Sequence, residues 1–148
     1  MNSRRPALTV LVSFVAVAAC SAFGPEGPET VRGAAILLHH GDTTTVTVPT
    51  SVRVGVPVSI TATSFGGGCI AKGETELTLR GLEAEVRPYR YETIRLPPNM
   101  ACTSELRIFQ HTVTLEFEQP GVARVRVFGL RRPGETPYVV EREFPVLQ

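Results

Sequence analysis

The sequence predicts an all-β protein, an antiparallel sandwich of seven to nine short strands. Two features of composition point that way, together with the spacing of the apolar residues. Val and Thr are abundant, with 19 and 16 copies, and both are β-branched residues that suit a pleated, half-buried surface. Gly and Pro number 13 and 12, so turns interrupt the chain often and no long helix can run through it. Apolar residues recur at period two in one segment after another, and no segment keeps a helical period. At 148 residues the chain has room for one domain, and 43% hydrophobic residues suffice for its core.

The domain is expected over residues 34–148. Ala34 to His40 is a short apolar run that ends at Gly41-Asp42, a turn signal. Thr43 to Val48 alternates Thr and Val. Val52, Val54, Val56, Val58, Ile60 and Ala62 form the strongest strand signal, with Pro57 dividing a short first strand from a longer second one. The glycines of Gly66-Gly67-Gly68 are expected to supply unusual backbone angles where the chain turns to present Cys69. Leu77 and Leu79 mark a further strand. Ala84 to Leu96 is polar enough for an outer strand, and Pro88 within it predicts a sheet edge. Leu106 and Ile108 are out of phase with Val113, Leu115 and Phe117, which predicts a bulge near Gln110. Gln119-Pro120-Gly121 and Arg132-Pro133-Gly134 are turns around a strand in which Val125 and Val127 alternate with Arg124 and Arg126. Val140, Phe144 and Val146 mark the closing strand.

Ahead of the domain, Arg4 and Arg5 precede an apolar run from Ala7 to Ala19. That run falls short of the roughly 20 residues a membrane-spanning helix needs, and with its small terminal residues it reads as a secretory signal. Val17-Ala18-Ala19-Cys20 resembles the lipobox of bacterial lipoproteins, in which the cysteine is lipidated and becomes the first mature residue. The resemblance implies a signal peptide over 1–19, a lipid-anchored Cys20 and a cell-envelope location. Ser21, in a position where some Gram-negative bacteria place a retention Asp, permits transfer to the outer membrane. Such lipoproteins carry a diacylglyceryl group, usually with a further acyl chain. One chain anchors only marginally, at about 0.8 kcal/mol per buried methylene, and two or more hold stably. Residues 20–33, with Gly24, Pro25, Gly27, Pro28 and Gly33, have the composition of a flexible tether.

Setting Cys20 aside leaves Cys69 and Cys102, an even pair in an oxidising compartment, which predicts a disulfide closing a loop of 33 residues. Free thiols or a metal pair are the alternatives, although no CxxC spacing is present. In Val113 to Val127, and again in Val46-Thr47-Val48-Pro49, Val52-Arg53-Val54-Gly55 and Val58-Ser59-Ile60, the pattern resembles bacterial immunoglobulin-like domains. The chain has no Trp, and Ala123 stands where many such domains place an aromatic.

Few residues suit chemistry. The formal net charge of +1 excludes the basic footprint of a nucleic-acid binder. His39, His40 and Asp42 are the densest set of potential metal ligands, with His111 a possible third imidazole, but adjacent strand residues point to opposite faces. The expected reading is therefore no metal site and no cofactor, with a metal or small-ligand carrier using His39, His40 and His111 as the alternative function. The order of Met100, Cys102 and His111 is wrong for a blue-copper site, Gly66-Gly67-Gly68 lacks the Lys and the helix of a phosphate loop, and no nucleophile elbow is present. Glu83/Glu85, Glu116/Glu118 and Glu141/Glu143 read as solvated strand faces. No enzyme is expected. A partner-binding face is: Arg87, Tyr89, Tyr91, Thr93 and Arg95 fall on one side of a strand, and Tyr and Arg are enriched where partners bind. A glycan or another envelope protein is the partner class such a face suits, and the expected function is a non-enzymatic envelope lipoprotein that binds or spaces something at the membrane surface.

Overall fold

The computed structural model describes residues 27–148, and every regular element among them is a β-strand. The signal segment, Cys20 and the first part of the expected tether lie outside the described residues. The strands are β1 (Glu29–Ala34), β2 (Ile36–Leu38), β3 (Val46–Thr47), β4 (Val52–Arg53), β5 (Val58–Gly66), β6 (Ile70–Arg80), β7 (Glu83–Arg95), β8 (Arg107–Leu115), β9 (Gly121–Arg131) and β10 (Thr136–Leu147). Strand pairing thus begins at Glu29, ahead of the expected domain start at Ala34. The residues Glu29 to Gly33, expected in the tether, are paired along β7.

All ten strands belong to one mixed sheet that curls on itself. Hairpins β6–β7 and β9–β10 are antiparallel, as expected of short connections, and the β5–β8 pair, joined through β6 and β7, is antiparallel as well. Three junctions are parallel instead: β7 with β9, β2 with β9, and β10 with β4. The expectation of a purely antiparallel arrangement is corrected there. Alternation in the sequence reports which face of a strand is buried, but not which way its neighbour runs.

The strand β2 is the seam of the curl. Ile36 pairs with Phe65 of β5 on one side and with Leu130 of β9 on the other. The flank of β3, β5 and β8 thereby closes over the flank of β7, β9 and β10. Inward residues of both flanks make the main core, including Ile60, Val86, Val113, Val125, Val127 and Val140. Phe117 and Phe144 pack edge to face in it with ring centroids 5.8 Å apart, the arrangement favoured by the ring quadrupole. A smaller cluster of Ile36, Phe65 and Ile70, with Phe109 against it, lies toward the end that carries Cys69.

Two strands differ from expectation. Pro88 does not mark an edge, because β7 has neighbours on both sides. Pairing with β9 stops at Val86, pairing with β1 starts at Tyr89, and the β6 register breaks between Lys72 and Thr75. The missing N–H of Pro88 falls into that interruption, while its carbonyl accepts from the Ala35 amide at 3.0 Å. In β8 there is no bulge near Gln110: pairing with β5 is continuous from Arg107 to Leu115. His111, Val113 and Leu115 are buried, and the phase change arises because Leu106 and Ile108 point outward.

Cys69 and Cys102 form a disulfide with a Cα–Cα distance of 5.1 Å, tying the loop that follows β7 to the start of β6. The glycines before Cys69 serve close approach, not the unusual angles expected. None of Gly66, Gly67 and Gly68 has a positive φ, and a Cβ on Gly68 would collide with the backbone and hydroxyl of Thr103. The Gly68 amide donates to the Thr103 carbonyl at 3.2 Å across this contact.

Candidate binding face

The parallel junction of β7 with β9 creates a fork in the sheet. Below Val86 and Val127 the two strands are neighbours, and above that point the β1–β2 segment is wedged between them. The Ala35 amide donates to Pro88, and the Leu130 amide donates to the Ala35 carbonyl at 2.9 Å. At the mouth of the fork the outer surface sinks into a groove of about 250 Å³. Tyr89 and Phe128 supply its aromatic surfaces, with Tyr138 beside them packed against the main core, Pro88 and Pro137 its rigid apolar ones, and Arg87 its charge. Gly129 at the groove has to be glycine, because a Cβ there would strike the Leu37 side chain at 2.5 Å and the Ala35 carbonyl oxygen at 2.6 Å.

Arg87 is held by two neighbours. Its guanidinium lies over the Phe128 ring at 4.2 Å, and Nη2 donates to Glu85 at 2.8 Å. That bond holds the Glu85 carboxyl below its ordinary range, aided by the charges of Arg87 and Arg126. Tyr89 is held in the same manner from the other side. The Arg32 guanidinium stacks over its ring at 3.5 Å from the centroid, and its hydroxyl donates to Glu76 at 3.0 Å. Arg32 also donates to Glu76 at 2.6 Å and contacts Glu74. Hydrogen bonds from Arg32 and then Tyr89 lower the Glu76 pKa, and the same bond to Glu76 raises that of Arg32. The result is an ordered strip in which aromatic rings are flanked by guanidinium groups, suited to the apolar faces and hydroxyls of a sugar or to an extended peptide.

Arg87, Tyr89, Tyr91 and Arg95, the Tyr and Arg residues of the expected partner-binding face, all belong to β7, but they do not act together. Arg87 and Tyr89 enter the groove. Tyr91 hydrogen-bonds Glu74, which raises its phenol pKa, and Arg95 sits at the far end of the strand, 3.5 Å from Glu29. Phe128, Tyr138 and Pro137 were absent from that expectation. They come from the β9–β10 hairpin, and only the fork brings them beside β7. Arg90 was missed as well. Its side chain is buried on the inner face and donates to both oxygens of Glu135, at 2.9 and 3.0 Å, and to Glu92 at 2.9 Å. The Arg90 bond, with a second from Arg132, lowers the Glu135 pKa and pins the β9–β10 turn to β7.

The histidines do not converge. His111 is buried, with Nε2 bonded to the Ser64 hydroxyl and Nδ1 to the Thr75 hydroxyl, each at 2.9 Å. Both ring nitrogens are therefore engaged within the fold. Burial, then the charge of Lys72, pushes its pKa down to about 4. His39 and His40 lie at the end of β2 with ring centroids 5.2 Å apart, and His39 Nδ1 is 3.5 Å from Asp42. Among the described residues no three His, Cys, Asp or Glu side chains are arranged to hold a metal ion. No protein-family profile matches the chain, and neither a curated protein nor a solved structure matches it.

Proposed function

We propose that this chain is a non-enzymatic lipoprotein of the bacterial cell envelope, a β-sandwich module of immunoglobulin-like type that is anchored through Cys20 and binds an envelope polymer or protein. The groove at the β7–β9 fork is the observation that carries the binding reading: the rings of Tyr89 and Phe128 and a positioned arginine line one depression. A larger depression of about 380 Å³, lined by Leu79, Gly81, Glu116, Glu118 and Gln119, offers carboxylates and no aromatic surface. The anchoring reading is supported by the order Arg4-Arg5, apolar run, Val17-Ala18-Ala19-Cys20. The carrier alternative gains nothing from the fold, since His111 has both nitrogens engaged apart from His39 and His40.

The test is the double variant Tyr89→Ser/Phe128→Ser, compared with Tyr91→Ser, in affinity capture from envelope extracts. Both positions of the double variant are partly exposed, and circular dichroism of each variant checks its fold. The expected result is loss of the captured component by tenfold or more, about 1.4 kcal/mol, in the double variant alone. Undiminished capture by a folded double variant would contradict the groove as the site.

A further inference from the structure

The end of the domain that carries the disulfide exposes more large apolar surface than any other part. Ile108 is 63% exposed, Met100 60%, Ile94 57% and Leu106 51%. These are four of the five most exposed large hydrophobic residues among those described, and all fall within residues 94–108. The fifth, Val122, begins β9 at the opposite end, opposite Pro145. Ile108 projects outward from β8, whose buried residues His111, Val113 and Leu115 fall on the other face, and Leu106 immediately precedes the strand. The disulfide and the bond from the Thr93 amide to the Cys69 carbonyl at 2.9 Å hold the segment to β6.

The chain also enters the domain here. Glu29 pairs with Arg95, and Pro28 shares a depression of about 210 Å³ with Leu96, Met100 and Arg107. Because β1 starts at Glu29, the link from Cys20 is nine residues, and not the fourteen the sequence suggests. At most ~3.5 Å per residue, nine residues reach about 30 Å, so a lipidated Cys20 keeps this end beside the bilayer at high effective concentration.

We infer that the disulfide-bearing end docks on the lipid surface, with Ile94, Met100, Leu106 and Ile108 set into the interface. This rests on the anchoring of Cys20 proposed above. Arg107 flanks the apolar residues, and its contact to Glu105 at 3.6 Å is an exposed pair of the kind that contributes little. Its guanidinium group can therefore reach a lipid phosphate while its stem follows the apolar surface. The groove then stands away from the bilayer: five strand residues separate Glu29 from Ala34 at its edge, about 16 Å.

The chain has no Trp, so single substitutions provide unique probes. Full-length protein carrying Ile108→Trp, Met100→Trp or Val122→Trp is purified from bacterial membranes. It is reconstituted into phosphatidylethanolamine vesicles containing one third phosphatidylglycerol, with and without brominated acyl chains. The expected result is roughly twofold quenching at 108 and 100 and none at 122, as apolar residues enter the headgroup–acyl boundary. A second copy of the chain on this surface would blue-shift the emission without bromine quenching and would overturn the inference, as would equal quenching at all three positions. The mass of the N-terminal peptide reports the lipid on Cys20 separately. A lipidated Cys20 without quenching at 108 defeats the docking and leaves the anchor intact, whereas an unmodified Cys20 without quenching defeats both.

Discussion

His111 is consequential as a structural residue and not as a ligand. An isolated imidazole beside two others invites a ligand reading, but here it joins β5 to β6 through Ser64 and Thr75. Its folded pKa of about 4 lies below the ordinary 6.5, because burial penalises the charged ring. The unfolded chain therefore binds the extra proton between pH 6.5 and 4, and stability falls as pH drops through that window. The loss is about 3 kcal/mol on the linkage relation, complete only below the folded pKa. Denaturant titrations at pH 7 and pH 4 should show this decline, and His111→Gln should flatten it while lowering stability at pH 7. The glutamates act further down the scale. Glu76, Glu85 and Glu135 have depressed folded pKa values, so their contribution is present above the ordinary 4.5 and fades as pH falls below it. An unchanged pH 7-to-4 difference in His111→Gln would show that another group governs acid sensitivity.

At the scale of elements, period-two alternation carries most of the fold. The strands at Val58, Val113, Val125 and Val140 are legible because one face of each is buried and the other wet. The turns at Gly41, Asn99 and Gly134 are legible because each residue there has a positive φ, which Gly and Asn adopt most readily. Neighbour relations are not legible. Nothing local to Pro88 shows that its missing donor coincides with a change of partner strand, and nothing near Arg87 announces Phe128 or Tyr138, which arrive from 41 and 51 residues away. Half of the candidate site was therefore visible, the half that lies on one strand. The Cys69–Cys102 pair was visible for another reason, since cysteine parity and compartment constrain it without reference to topology. Its loop of 33 residues corresponds to about 3–4 kcal/mol of chain entropy, a model-dependent figure. Cys69→Ala/Cys102→Ala should lower the unfolding free energy by that order in urea titrations. A loss below ~1 kcal/mol would mean that the loop contacts at Gly68 and Thr103 hold the segment unaided.

For the whole molecule, the proposed anchor at Cys20, the apolar end and the groove would define one direction. The proposed cleavage before Cys20 would remove Arg4 and Arg5 and leave 13 Lys+Arg against 14 Asp+Glu, a formal charge of −1. The mature domain is therefore close to neutral, and long-range attraction to an anionic surface is weak. In the proposed arrangement, attachment would come from the lipid and from apolar contact through the exposed residues of 94–108. The fork then lies at mid-height, open to the solvent side of β7, β9 and β10. Val139 is 46% exposed on the rim of the groove, and Val122 is as exposed as any distal residue, so the pair isolates the groove from the rest of the surface. A photo-crosslinking amino acid placed at each position, in full-length protein expressed in intact cells, tests the central claim most directly. The account predicts a discrete adduct from position 139 that disappears in Tyr89→Ser/Phe128→Ser and is not formed from position 122. The same adducts from both positions, or an adduct at 139 that survives the double substitution, would contradict it.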